Sequence, residues 1–106
     1  MTSELQPLRL TSSSEFSVRL GTADREVPIE VVIERKAIDN YFHLRATSPA
    51  RRKLLVEAKL PAITRIVEKR HARREWVEGQ RYGVRYRQIV IHDFRGETLD
   101  LPGAEE

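Results

Sequence analysis

The strongest constraint on the fold is a pair of short segments in which apolar residues recur at every second position. The first segment contains Phe16, Val18 and Leu20, and the second contains Val27, Ile29, Val31 and Ile33. A period of two indicates strands with one buried face. Turn-forming residues at 21–24 lie between the segments, so the sequence predicts a β-hairpin. Pro28 has no N–H to donate, which places its strand at a sheet edge or Pro28 near the start of that strand.

Beyond the hairpin, the apolar residues change to helical spacing. A short amphipathic helix is indicated by Ala37, Ile38, Tyr41 and Phe42. Ser48 is a suitable N-cap for a second helix, and Pro49 suits its first position. One face of that longer helix gathers Leu55, Val56, Leu60, Ala62, Ile63, Ile66 and Val67. Pro61 lies on the opposite face, which favours one helix kinked at Pro61; two helices with a break before it are the alternative.

The apolar pattern returns to a strand near the end of the chain. The long helix is expected to end near Trp76, and alternation resumes from Arg81 into the continuous apolar run at 89–91. The sequence therefore predicts an α+β domain with a small antiparallel sheet in the order β-β-α-α-β. A short helix and the longer, proline-kinked helix are expected to pack on one face of the sheet. We expect a flexible leader at 1–14, a single domain at 15–96 and an acidic, frayed tail at 97–106.

Length and composition exclude several classes of protein. A chain of 106 residues has room for one domain with a modest core. The absence of cysteine excludes disulfides, thiolate catalysis and cysteine-bearing zinc sites. The first residues do not resemble a secretory signal, and no apolar run approaches the roughly 20 residues of a membrane helix. We therefore expect a soluble, cytoplasmic protein without a membrane partner.

Positive charge is concentrated in the middle of the chain. Residues 65–87 contain eight basic and three acidic side chains, a net charge of +5, whereas residues 1–64 carry +2 and residues 88–106 carry −4. Such asymmetry concerns partners and solubility more than fold.

Within this segment, Arg65, Lys69 and Arg73 repeat at i, i+4 on one helix face, where like charges repel. Together with Arg85 and Arg87, they are the candidate contacts to an anion or a nucleic acid.

Other residues of the basic segment suggest packing or a protein interface. Arg70 and Arg74 share the angular sector of the apolar helix face, so their stems are expected to cover the core edge or to lie at a dimer interface. Trp76 is expected to cap the core, with an exposed anchor for a partner as the alternative. Tyr82 and Tyr86 are expected to pack on a face of the sheet.

The sequence contains no residue set that argues for catalysis. Asp39 and His43 are spaced i, i+4 and could share a metal or a proton, but such pairs are common on solvated helices. His92 and Asp93 form a dipeptide without a companion motif. None of the five glycines belongs to a phosphate-binding loop. We therefore expect no catalytic residue, no cofactor and no metal, and an enzyme of unknown chemistry ranks third among the hypotheses.

Three segments together resemble a group of short bacterial proteins known as domain-of-unknown-function family fourteen eighty-eight. They are residues 27–42, the helix at 54–71 and residues 89–94, Ile-Val-Ile-His-Asp-Phe. The resemblance spans about residues 15–94 and implies a hairpin, a short helix, a longer charged helix and a closing strand. The chain departs from the family pattern at the short helix, where Glu34 or Arg35 replaces a serine cap. The resemblance implies no activity, cofactor or site residue.

The leading functional hypothesis is a small, non-enzymatic interaction module that binds a protein partner or itself, as a homodimer. It follows from the absence of a catalytic set, the thin core and the arginines on the apolar sector of the helix. The alternative is a nucleic-acid-binding or regulatory protein that uses the five candidate basic residues.

Overall fold

The part of the chain that the structure describes forms one five-stranded mixed sheet and three helices, which confirms the α+β class. The computed structural model describes residues 5–45, 47–94 and 97. The elements in chain order are β1 (Arg9–Ser13), β2 (Ser17–Asp24), β3 (Val27–Glu34), α1 (Arg35–Phe42), α2 (Pro49–Ala58), α3 (Leu60–Ala72), β4 (Val77–Arg81) and β5 (Val84–Ile91).

The strand order is β1-β2-β3-β5-β4, with β3 and β5 parallel and the other neighbours antiparallel. The predicted antiparallel sheet in the order β-β-α-α-β is therefore wrong in its details. A parallel pair requires a long crossover, and here the three helices supply it between β3 and the β4–β5 hairpin. The hydrophobic period of a segment identifies it as a strand but does not show which other strand it pairs with. No local pattern in the sequence therefore indicates the parallel pairing of β3 with β5.

The strand β1 lies in the segment that the sequence predicts to be a loose leader. Its residues Arg-Leu-Thr-Ser-Ser do not alternate, yet they pair with β2, and Leu8 just before them is buried. The expectation of a loose leader is therefore wrong for Arg9–Ser13. Edge strands need only one neighbour and little apolar surface, which explains the weak signal. Apart from residue 97, the predicted acidic tail lies outside the described residues.

The core lies between the helices and one face of the sheet, here called the helix face. Cross-strand rows on this face bring Leu20, Val31 and Ile89 together, and Ile33 and Ile91 lie in the next row. From the helices the core receives Ala37, Ile38, Val56, Ala62, Ile63, Ile66 and Val67. The other face, here called the open face, carries Glu30, Tyr86 and Gln88 on its central strands.

The predicted helix kinked at Pro61 is wrong, and the alternative of two helices is confirmed. Lys59 has φ −110° and ψ 19° and separates α2 from α3. Pro61 is the second residue of α3, where a helix has no partner for the backbone N–H that proline lacks. Ser48 caps α2 by accepting a hydrogen bond from the Arg51 amide, and Pro49 follows it, as the sequence predicts. In the described part of the chain, no helix is long and apolar enough to cross a membrane.

A charged side chain inside the helical layer joins α1 to α2. Arg52 is only 4% exposed. Its Nε donates to Asp39 Oδ1 at 3.1 Å, and its Nη2 donates to the carbonyl oxygen of Thr47 at 3.2 Å. A guanidinium removed from water must be paired, so these bonds hold the end of α1 and the following loop against α2.

The Arg52 anchor predicts a large difference between two adjacent arginines. Arg52→Ala leaves Asp39 without its partner and a void beneath α2, so we expect a loss of about 3 kcal/mol in the free energy of unfolding. The exposed neighbour Arg51 provides the control, because Arg51→Ala is expected to cost less than about 0.5 kcal/mol. Urea unfolding of the two variants measures both values. Equal losses would contradict the anchoring role of Arg52.

Candidate functional site

The β4–β5 hairpin carries an unusual share of the exposed apolar surface. Among the described residues, five large hydrophobic side chains are exposed, and three of them lie here: Val77, Tyr82 and Val84. Tyr82 is 98% exposed at the tip, so the prediction that it packs on the sheet is wrong. Its φ of 54° and the φ of 78° at Gly83 define a two-residue turn of type I′, which suits the twist of the strands but turns the tyrosine into solvent.

Tyr86 packs on the open face, as the sequence predicts, and it does so over a glycine. Gly79 is its cross-strand partner, and a Cβ built at Gly79 would lie 2.6 Å from Tyr86 Cζ. The guanidinium of Arg81 lies 4.7 Å from the centre of the same ring. The tyrosine ring therefore fills the space that the glycine leaves and extends across β4.

The outer edge of β4 presents backbone groups that β5 does not use. In a two-residue hairpin the pair that closes the turn, Arg81 and Val84, exchanges hydrogen bonds, and every second pair does the same. The N–H and C=O groups of Glu78 and Gln80 consequently point away from β5. Among the described residues, no other strand pairs with β4.

The remaining edges of the sheet are interrupted or covered. The pairing of β1 shifts register between Leu10 and Ser12, and such a bulge spoils an edge as a template. Where β4 has ended, the carbonyl oxygen of Val90 on β5 accepts a hydrogen bond from Arg70 Nη1 at 3.2 Å. Arg70, a predicted interface residue, thus caps the sheet. The regular edge of β4 has no such cover in the described part of the chain.

A second polar cluster surrounds Arg87 at the edge of the helix face. Arg87 Nη1 lies 3.1 Å from Asp24 Oδ2 and 2.8 Å from His71 Nε2. The guanidinium carbon is 4.3 Å from the centre of the Trp76 ring, which stacks on His71. Because a guanidinium only donates, His71 Nε2 accepts this bond, and we assign the ring proton to Nδ1. Half-buried Trp76 therefore caps the core edge, while Arg87 is held by its neighbours.

An open cavity of about 540 Å³ adjoins this cluster, lined by Asp24, Arg25, Glu26, Val27 and Arg87. Its charged groups are two carboxylates and two guanidiniums, so the lining does not select a ligand of one sign. Among the described residues, no group of three or more His, Asp or Glu side chains could hold a metal ion. The sequence offered no signal for the cluster, because Asp24 and Arg87 are 63 positions apart.

The five candidate anion contacts have different surroundings. Lys69 Nζ forms an ion pair with Glu97 Oε1 at 2.8 Å, and Arg87 is paired with Asp24. Arg65 and Arg73 are exposed along α3 and just after it, and Arg85 is exposed on β5. These three form no ion pair within the part of the chain that the structure describes. Only part of the predicted basic surface is therefore without an acidic neighbour.

In the Asp39–His43 and His92–Asp93 pairs of the sequence, Asp39 and His92 each contact a residue outside the pair. Asp39 pairs with Arg52. His43 ends α1 in the left-handed conformation, with φ 56°. His92 Nδ1 lies 3.0 Å from Glu34 Oε2 on the open face.

Arg74, which the sequence groups with Arg70 at the core edge or at a dimer interface, is exposed in the turn after α3, with φ 59°.

Glu30 organises the charges at the centre of the open face. Its carboxylate accepts from Gln88 Nε2 at 2.8 Å and from Arg19 Nη1 at 3.0 Å, and Arg81 lies 4.0 Å away. Burial by itself raises the pKa of Glu30. The hydrogen bonds from Gln88 and Arg19, together with the charges of Arg19 and Arg81, outweigh burial and hold the pKa below its usual value.

Comparison of the chain with family models, with curated proteins and with solved structures finds no match. The resemblance to family fourteen eighty-eight remains a prediction. The geometry of the residues is accordingly the basis for a functional proposal.

The Glu30 network predicts a pH-dependent contribution to stability. Because the folded pKa of Glu30 lies below the unfolded value of about 4.3, its contribution is complete above that value and is lost as the pH falls through the folded pKa. Glu30→Gln should therefore cost about 1 kcal/mol at pH 7 and less near pH 2.5. Urea unfolding at both pH values measures the difference. Exposed Glu57→Gln is the control, and a Glu30→Gln cost that does not change with pH would contradict the network.

The packing of Tyr86 on Gly79 predicts a strong coupling between these two positions. Gly79→Ala forces the ring to move and should destabilise the protein by about 1 kcal/mol or more. After Tyr86→Ala, the same change should be neutral or stabilising, because alanine loses less backbone entropy in a strand than glycine. A double-mutant cycle from urea unfolding at low protein concentration measures the coupling. An equal cost of Gly79→Ala in both backgrounds would refute this packing role.

Proposed function

We propose that this chain is a non-enzymatic protein-interaction module whose contact surface is the β4–β5 hairpin. The observation that carries the proposal is the regular edge of β4, which no other strand pairs with among the described residues, beside the exposed side chains of Val77, Tyr82 and Val84. Native sheets usually interrupt or cover such an edge, as this sheet does at β1 and at Val90.

The edge of β4 and the exposed side chains of the hairpin offer two complementary means of recognition. The N–H and C=O groups of Glu78 and Gln80 can extend the sheet by one strand, which supplies affinity without regard to sequence. The three apolar side chains provide specificity, and Tyr82 is of the residue type that anchors interfaces. A partner that covered both would remove from water three of the five exposed large hydrophobic side chains in the described part of the chain.

Nucleic-acid binding is the second candidate, supported by the exposure of Arg65, Arg73 and Arg85. The ion pairs of Lys69 and Arg87 count against it, because a phosphate would have to displace the acidic neighbours. Nucleic-acid binding would weaken with salt, with a log–log slope of about −0.9 for each phosphate contacted. A partner held by strand pairing and apolar contacts would depend much less on salt.

A hairpin variant tests the proposed function without disturbing the fold. Val77→Thr, Tyr82→Asn and Val84→Thr together keep strand propensity and place Asn-Gly in the type I′ turn, where it is preferred. We expect this variant to unfold at the same or higher urea concentration and to lose at least about tenfold in self-association and in capture of proteins from a cell extract. Sedimentation and quantitative affinity capture measure the two losses.

The matched control is Phe16→Ser with Leu54→Lys, which removes the other two exposed large hydrophobic side chains in the described part of the chain. The control should retain all interactions of the parent protein. Equal binding by the parent and the hairpin variant would refute the proposed surface. Salt-sensitive retardation of DNA or RNA, lost in Arg65→Ala/Arg73→Ala and kept in the hairpin variant, would establish the second candidate instead.

A further inference from the structure

We propose that the occupant of the β4 edge is a second copy of this chain. The two β4 strands pair antiparallel about a two-fold axis at Gly79 and join two five-stranded sheets into one. This inference rests on the proposed function and names its partner.

The free backbone groups fit this symmetric pairing. With the axis at Gly79, Glu78 of one copy lies opposite Gln80 of the other, and the reverse pair is identical by symmetry. Both residues direct N–H and C=O outward, so each of these pairs exchanges hydrogen bonds in both directions. A closed two-fold interface consumes the edge completely and leaves none for a third copy.

The side chains of β4 select this register over its neighbours. A shift by two positions in one direction places Glu78 opposite Glu78 of the second copy, and directly opposed like charges are destabilising. The opposite shift places Glu78 against Tyr82, which belongs to the turn and not to the strand. A shift by one position would oppose residues of the open face to residues of the helix face. Only pairing about Gly79 uses the whole strand without a clash of charge.

Steric fit at the axis is also favourable. The two glycines form a non-hydrogen-bonded pair, in which Cα atoms approach to about 4.5 Å. The Tyr86 ring of each copy already extends over its own Gly79, so the two rings cover the axis on the open face. At either end Val77 lies opposite Arg81 of the second copy, whose alkyl stem can cover the exposed valine.

Charge and area predict a weak dimer with a distinctive salt response. The two Arg81 residues are separated by four strand positions, roughly 14 Å, which exceeds the Debye length of about 8 Å at physiological ionic strength. Pairing five residues a side buries less than a standard interface of about 1,600 Å², so association should require high protein concentration. Because both hairpins are basic, raising the salt from a low to a physiological concentration should strengthen self-association, whereas it weakens binding to an acidic protein or to a nucleic acid.

The absence of cysteine in the chain allows a direct test of the register. Val77→Cys and Arg81→Cys are made as separate proteins and mixed in equal amounts under mild oxidation. In the proposed register these positions oppose each other across the interface, within the Cα separation of about 7 Å that a disulfide permits, whereas residue 77 is roughly 14 Å from residue 77 of the second copy. We expect a mixed disulfide that accumulates at least about tenfold faster than the disulfide of either protein alone.

A proline variant tests the hydrogen bonds of the edge. Gln80→Pro removes an outward N–H and no bond to β5, so the fold is expected to persist while the dimer is lost. The control variant Gln80→Ala should keep both the fold and the dimer. Sedimentation over low micromolar to millimolar concentrations gives the oligomeric state, and circular dichroism with urea unfolding checks the fold. If Gln80→Pro fails to fold, the mixed disulfide decides the matter by itself.

The dimer is overturned if the parent chain stays monomeric at millimolar concentration, or if mixing Val77→Cys with Arg81→Cys gives no more disulfide than mixing Val77→Cys with Phe16→Cys. In either case the proposed function survives only if the parent chain captures a protein that the hairpin variant does not capture. If the hairpin variant and the parent chain also capture the same proteins, both proposals fail.

Discussion

Parallel pairing of β3 with β5 is the constraint on which the remaining structure depends. Val31 and Ile33 lie beside Ile89 and Ile91 at the centre of the sheet, and all four are fully buried. Because parallel neighbours require a crossover, the helices must pass over one face between them. β3 is already paired with β2 on its other side, so the strand that precedes β5 can add only at the outside. The buried centre of the sheet thereby leaves β4 as a regular edge.

Part of the concentrated positive charge in residues 65–87 serves the fold. Arg70 caps a backbone carbonyl that β4 does not reach, and Arg87 joins Asp24 to His71 and Trp76. Arg52, which precedes that segment in the chain, joins α1 to α2. Arginine suits such places because its fork of donors satisfies several acceptors while its stem packs against apolar groups. The net charge of +5 counted along residues 65–87 is therefore larger than the positive charge that these residues leave available on the surface.

The features that could be predicted from the sequence are those that depend on neighbouring residues. The β2–β3 hairpin, α1 and the Ser48–Pro49 start of α2 follow from local periodicity, turn residues and capping. Short edge strands lack such signals: β4 reads Val-Glu-Gly-Gln-Arg, without apolar alternation. The surroundings of Arg87 join residues far apart in the chain, which no local pattern records. No local pattern in the sequence reveals the candidate site either, because an unpaired edge is a property of the assembled sheet.

An open edge on β4 is the central claim, and amide hydrogen exchange measured by NMR tests it most directly. The N–H groups of Glu78 and Gln80 point away from β5, whereas those of Gly79 and Arg81 bond to it. We predict that Gly79 and Arg81 are protected at every concentration, and that protection of Glu78 and Gln80 rises with protein concentration. Fast exchange of Glu78 and Gln80 up to millimolar concentration would contradict the self-pairing edge. Strong protection of both at low micromolar concentration would contradict the open edge itself.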